Sequence, residues 1–171
     1  MDNQQETTSK VSPFEFGWFC GFFDGEGSLG ITVRRRKEHK KYYEGFKPHL
    51  QVCNTEIELV ERCKYFFDAL GIPYYVSYYK GKGKRKPHWN IAVAGLRRVM
   101  KILPIIKPGL QGNKKEKADL MMEFCNSRLS KWHRSEYSQR ERQIVDRMFE
   151  LNQRGKRSDP QRLYAKPLEI E

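Results

Sequence analysis

No stretch of this 171-residue chain is apolar for long: the richest run, GWFCGFF at 17–23, has seven residues and two glycines. A spanning helix needs about 20. The opening MDNQQETTSK has no apolar segment and no arginine, so no signal or transit peptide is visible. Cysteine is sparse. The four, at 20, 53, 63 and 125, form no CxxC pair, and none stands at zinc-finger spacing from His39, His49, His88 or His133. That argues against a zinc module and against a disulfide framework. It predicts reduced, mostly buried thiols in a cytosol-like compartment. Acid is also in short supply, with 21 Asp and Glu against 33 Lys and Arg and a net charge of +12. Such an excess points to a polyanion, nucleic acid ahead of an anionic membrane. Aromatics are not scarce. At 13% of the chain they exclude a disordered polymer and supply one domain-sized core.

Periodicity orders the elements. After a polar tail at 1–11, Ser12 and Glu15 have capping-box spacing and Pro13 takes the first helical position. The helix is expected over 13–24, stopped by Gly25 and Gly27. Leu29, Ile31 and Val33 then alternate as a strand, and a second strand after the charged stretch 34–41 runs to about Cys53. Thr55 and Glu58 mark another cap, followed by a helix with Val60, Cys63, Phe67 and Leu70 inward, closed by Gly71 and Pro73. Tyr74, Val76 and Tyr78 alternate in a third strand, and Trp89, Ile91 and Val93 in a fourth. Helical spacing resumes at Leu96, Val99, Met100 and Leu103 until Pro104. It starts again at an Asn113–Glu116 cap, continuing to about Leu129, and once more through Tyr137, Ile144, Val145, Met148 and Leu151 to Gly155. The order is α-ββ-α-ββ-α plus further helices. This predicts an α+β fold with one antiparallel four-stranded sheet and helices on a single face.

The charge is concentrated. Residues 34–41 (Arg34, Arg35, Arg36, Lys37, Lys40 and Lys41, with one acid) and residues 80–86 (Lys80, Lys82, Lys84, Arg85 and Lys86, with none) each carry +5. Both are read as hairpin tips. On the open face of the same sheet the alternation places His49, Gln51, His88 and Asn90. A two-stranded ribbon fits the major groove, where such side chains reach base edges while tip cations neutralise phosphates.

The segment GWFCGFFDGEGS at 17–28 is the most informative. Gly17 and Gly21 lie four apart on one helical face, with Cys20 and Asp24 beside them. Each glycine costs a helix interior about 1 kcal/mol relative to Ala, and close packing of a partner helix would offset that. Asp24 and Glu26 sit at the C-terminal end, where the macrodipole disfavours acids by about 0.3–1 kcal/mol. A bound cation reverses the sign, and carboxylates with free helix-end carbonyls are hard ligands suited to Mg²⁺.

Residues 19–27, FCGFFDGEG, resemble the LAGLIDADG motif of homing endonucleases, with Gly21, Asp24, Glu26 and Gly27 in register and Gly25 a common variant. The element order extends the resemblance over 12–130 and leaves 131–171 as a helical extension. One motif copy implies the family's homodimeric branch, in which two such helices pack at the two-fold axis through Gly17, Cys20, Gly21 and Asp24. The paired sheets would form a saddle over double-stranded DNA and read a near-palindromic site. The resemblance implies Glu26 as the metal-binding carboxylate, the Gly25 carbonyl as a further ligand, and Asp24 near the metals but mainly structural. It implies two or three Mg²⁺ ions shared across the dimer, with Mn²⁺ expected to substitute. Hydrolysis of both strands would leave short 3′ overhangs. By local alignment the family's basic residue is Lys114, with Lys115 as the near alternative. Asn54 is the residue placed to order a catalytic water, or else to cap the next helix.

Other signatures fail. Gly71-Ile72-Pro73-Tyr74 is half of a GIY-YIG motif with its second tripeptide missing, the four histidines make no HNH site, and no phosphate-binding loop is present. The expectation is an intron-encoded endonuclease acting in the cytoplasm and nucleoid, or in an organelle that encodes it, and not secreted. The alternatives are an intron-RNA-binding maturase and a dimeric DNA-binding regulator on the same scaffold.

Overall fold

A computed structural model describes residues 11–38, 41–84, 86–132 and 135–153, with backbone alone at 35–38 and 41–43. Helix α1 (Pro13–Glu26) starts where the sequence places it, with the Ser12 hydroxyl accepting the Glu15 amide at 3.2 Å. The reciprocal half of that capping box is absent, because the Glu15 carboxylate pairs with Arg62 of helix α2 (Ile57–Ala69) at 3.0 Å. The helix also passes the expected stop at Asp24 and continues through Gly25 to Glu26. Its end is made by Gly27, which turns into extended backbone and returns its amide to the Phe23 carbonyl. Phe23 explains the glycine: a Cβ at Gly27 would come within 2.3 Å of that ring.

Strand β1 (Gly27–Glu38) pairs with β2 (Lys41–Asn54) from Gly27 opposite Val52 to Glu38 opposite Lys41. The charged stretch is therefore strand almost to the tip rather than a long turn. After α2 come β3 (Tyr75–Tyr79) and β4 (His88–Ala94), and the sheet is antiparallel in the order β1-β2-β4-β3. Strand β3 begins one residue after Tyr74, and all five of its positions are exposed. Val76 and Tyr78 share the face of buried Ile91, but β3 is an edge strand that the helices do not cover.

Helix α3 (Leu96–Ile106) does not end at Pro104. In a last turn, proline removes only one intrahelical donor, and a 3₁₀ turn at Lys107–Gly109 carries the chain on. Helix α4 (Gly112–Leu129) starts one residue before the expected Asn113 cap, and neither α4 nor α2 has a side-chain N-cap. Helix α5 (Gln139–Asn152) has the full capping box, Ser138 with Glu141, which the sequence reading overlooked. Tyr137 precedes this helix, and its hydroxyl accepts the Phe46 amide at 3.0 Å.

One buried cluster unites these elements. Phe19 and Phe66 stack at 4.0 Å, Leu29, Leu50, Val52, Ile91 and Val93 face them from the sheet, and Ile102, Phe124, Ile144, Val145 and Met148 close the far side. Each such side chain contributes about 1.5–3 kcal/mol by burial. Val11, assigned above to the polar tail, is buried in the same cluster. Helix α5 is bolted on by a buried ion cluster in which Glu141 meets Lys131 at 3.0 Å and Arg128 at 3.6 Å. The far end of α5 covers the free edge of β1, with the Asn152 amide nitrogen donating to the Leu29 carbonyl at 2.9 Å. His39, Lys40, Arg85, His133, residues 1–10 and the tail from 154, with its arginines and Gly155, lie outside the described residues.

Candidate active site and nucleic-acid interface

The acidic end of α1 meets the start of α4. Asp24 Oδ2 accepts the Gln111 amide at 3.0 Å, and Gln111 is the N-cap residue of α4. The carboxylate at the unfavourable end of one dipole thus sits at the favourable end of another. The Asp24 carbonyl accepts the Lys114 ammonium, which also lies 5.8 Å from the Phe23 ring centroid. Lys114 is the member of the Lys114–Lys115 pair that reaches the motif; Lys115 is exposed. Asp24 Oδ1 is buried and has no hydrogen-bond partner.

Glu26 and Gly25 are exposed, and among the described residues no cation pairs with Glu26. Asn54 at the end of β2 spends its side-chain oxygen on the Glu56 amide at 2.8 Å. That bond replaces the Thr55 cap in organising the entry to α2. Among the described residues no three His, Cys, Asp or Glu side chains gather into a metal cluster.

Gly17, Gly21 and Gly25 form an exposed file along α1, and a Cβ added at any of them meets no atom within 4 Å. Phe14 lies on the same side and is 72% exposed. Cys20 does not belong to that face. It is buried, with its thiol directed at the Ile106 carbonyl and packed on Gly109, where a Cβ would come within 2.5 Å of the sulfur. A position three from Gly17 lies 60° off its direction, enough to turn Cys20 inward. Burial raises its pKa to about 11, with a further push from the Asp24 charge, and burial raises Cys63 and Cys125 to about 12.

On the sheet, register places His49, Gln51, His88 and Asn90 on the face away from the helices, as the alternation required. The Cys53 thiol donates to Asn90 Oδ1 at 3.3 Å, Tyr79 stacks on His88 at 5.0 Å, and Thr32 Oγ1 lies 3.3 Å from His49 Nδ1. Burial lowers the His49 pKa, against an opposing hydrogen bond to the Lys47 carbonyl, and the Lys47 charge adds to the lowering. Arg34, Lys80, Lys82, Lys84 and Lys86 are exposed. For Arg35, Arg36, Lys37 and Lys41 only the strand backbone is described. The sequence reading missed Lys47, Tyr75 and Ser77 on this face. Lys47 was legible as the next step of the His49–Gln51 alternation, whereas Tyr75 fell out when Tyr74 was given the strand's phase.

Charge pairing divides the molecule. Arg62, Arg128, Arg140, Arg142 and Arg147 all have carboxylate partners on or between helices or at the ribbon's flank. Among the described residues no carboxylate pairs with Arg34, Lys47 or the lysines of the β3–β4 turn. Cations without acids are the arrangement that phosphates complete.

The model of the family described as LAGLIDADG endonuclease matches residues 19–125. The chain belongs to that family. No curated protein matches it significantly in sequence. Among solved structures, it is similar to an archaeal intron-encoded homing endonuclease, I-Vdi141I, complexed with DNA. That match has 16% identity, a TM-score of 0.65, and covers 88% of this chain and 92% of the other. It also resembles the group I intron-encoded homing endonuclease I-CeuI complexed with DNA, at 16% identity and TM-score 0.62, over 81% and 67% of the two chains. A third likeness is I-CvuI with an uncleaved DNA target in the presence of magnesium, at 18% identity and TM-score 0.58, over 88% of each chain. These likenesses establish the α-ββ-α-ββ-α architecture.

Proposed function

We propose that this protein is a homodimeric, divalent-metal-dependent endonuclease that cuts both strands of a long near-palindromic DNA site, encoded by an intron and working where that DNA resides. The observation that carries the reading is a juxtaposition. The open glycine file of α1 ends at exposed Glu26, with Lys114 on the Asp24 carbonyl beside it, at the rim of a polar sheet with unneutralised cations.

A second copy laid along the glycine file buries Phe14 and brings two Glu26 carboxylates to one axis. The donors fit Mg²⁺ in kind, since the Glu26 carboxylate and the Gly25 carbonyl are hard oxygen ligands. They fall short in number from one chain, which is why the site needs both. The unpartnered Asp24 Oδ1 marks a place where a cation or its water would be welcome. When bound, the ions would supply an activated water and charge neutralisation at the leaving 3′ oxygen. The chain's own part is to hold carboxylates at the axis, to bring the Lys114 ammonium near the scissile phosphate, and to seat the duplex on the sheet.

Incubating the protein with fragmented host genomic DNA and Mg²⁺, then sequencing new ends, tests this. Ends gathered at one near-palindrome with short 3′ overhangs are expected. Absence of new ends, with tight retention of one fragment, would replace the enzyme with a binding protein.

A further inference from the structure

Beyond the sheet face lies a groove of about 530 Å³ whose lining includes Lys47, Tyr75, Arg97, Arg98, Lys131 and Tyr137. It sits where β2 leaves the four-stranded sheet for the ribbon, against the start of α3 and the α4–α5 connection. Among the described residues no acidic side chain lines it. Two of its cations, Arg128 and Lys131, are consumed by Glu141. Among the described residues the other three, Lys47, Arg97 and Arg98, have no carboxylate partner.

Two of them are nonetheless held. The Arg98 guanidinium donates to the Tyr75 hydroxyl and lies 5.1 Å from that ring's centroid, and the Lys47 ammonium lies 5.9 Å from it. Tyr75 thus pre-orders two cations against a ring, which lowers the entropy lost when an anion arrives. The groove is continuous with the open sheet face. Tyr75 is opposite Ala92, and His49 is opposite Ala94, so small side chains leave the passage between them clear.

We infer that this groove takes the sugar-phosphate backbone of the bound duplex outside the bases that the sheet reads, with Lys47, Arg97 and Arg98 as its phosphate contacts. The inference rests on the duplex-DNA reading above and extends it to a place off the sheet. Such contacts set register and affinity rather than base preference. Their signature is the salt dependence of binding, because each neutralised phosphate contributes about 0.9 to the slope of log affinity on log salt.

The test uses the full chain with a 60-bp mixed-sequence duplex, followed by fluorescence anisotropy across a salt series. The Arg97→Gln/Arg98→Gln protein, which loses two cations from each protomer of the proposed dimer, is expected to bind with a slope shallower by about 2–4 than the parent. Arg140→Gln, whose arginine is paired with Glu123 on the helical side, should leave the slope unchanged. Far-ultraviolet dichroism and thermal melting verify that each variant is folded. A milder variant, Tyr75→Phe, keeps the ring and removes the hydroxyl, and is expected to weaken binding without flattening the slope. If the parent binds the duplex and the double variant keeps its full slope, the groove does not hold backbone, and the DNA reading stands without it. If the parent ignores the duplex and binds a structured RNA instead, both the duplex reading and this inference fall.

Discussion

The Lys114 ammonium bonds to the main-chain carbonyl of Asp24 across 90 positions of sequence. One element thereby delivers a cation to the end of another that carries only acids. A lysine in the first turn of α4 opposes that helix's dipole, and the Asp24 carboxylate on the Gln111 amide offsets the conflict.

Replacing Lys114 with Met should therefore separate chemistry from binding. Cleavage is expected to drop by about 10²–10⁴, while duplex affinity changes only a few-fold. Single-turnover cleavage and anisotropy on the same preparation would decide it. Equal losses in both would make Lys114 a phosphate anchor rather than a participant in the reaction. Glu26→Gln makes the complementary case, with cutting abolished and binding retained.

The glycine file makes a sharper demand. In Gly21→Leu the added Cβ meets no atom within 4 Å of one chain, so the protomer should fold with unchanged helix content. It is even expected to gain up to about 1 kcal/mol of helix propensity. On the proposed homodimer reading, sedimentation should nevertheless show dimer for the parent and monomer for the variant, with cleavage lost. A variant that still dimerises and cuts would place the two-fold axis elsewhere.

Cys53 is the one exposed thiol of the four, and it lies on the sheet's open face beside Asn90. A neutral maleimide should label Cys53 alone in the folded protein, since Cys20, Cys63 and Cys125 are buried with pKa values raised to about 11 or 12. The adduct should block duplex binding by bulk. Intact-mass analysis before and after binding assays reads both parts.

Glu141 and His49 both contribute to the acid limb of stability. For Glu141, burial raises the pKa, but the Ser138 amide, the Ser127 hydroxyl, Lys131 and Arg128 together hold it below the usual value. Its stabilisation is complete above the unfolded carboxylate pKa, near 4.3, and is lost as pH falls through the lower folded value. Glu141→Ala should cost about 3 kcal/mol by leaving Arg128 buried without its carboxylate. His49 acts at higher pH. Its folded pKa is depressed by burial, so the unfolded chain binds the proton more tightly, and stability declines as pH falls below about 6.5. Urea melts at pH 7 and pH 5.5 should differ less in His49→Gln than in the parent.

Much of this was legible from patterns with a local cause. The Ser12 cap, the inward faces of β1, β2 and β4, and the glycine file follow from periods of 2 and 3.6, which one segment sets for itself. What escaped depends on a second segment. Cys20 reads as a neighbour of Gly17 until Gly109 arrives beneath it. The alternation in β3 promised a half-buried strand, but burial requires a covering layer, and at the sheet's edge the layer runs out. Buried Glu141 and Arg128 look like ordinary surface charges in sequence, because nothing local announces the partner that makes their burial tolerable.

The unequal pairing of β2 has a consequence for how such a protein can change. From His49 to Val52 the strand is held on both sides, by β1 and β4; from Lys41 to Gly45 it is paired with β1 alone. The first stretch shares the buried core, and errors there are felt throughout the domain. The second is a cantilever whose residues answer to hydration and to whatever lies against them. On the proposed DNA reading, substitutions can accumulate along it while the clamped end stays constant, so the sequence contacted at its outer positions can drift long before the fold registers the change.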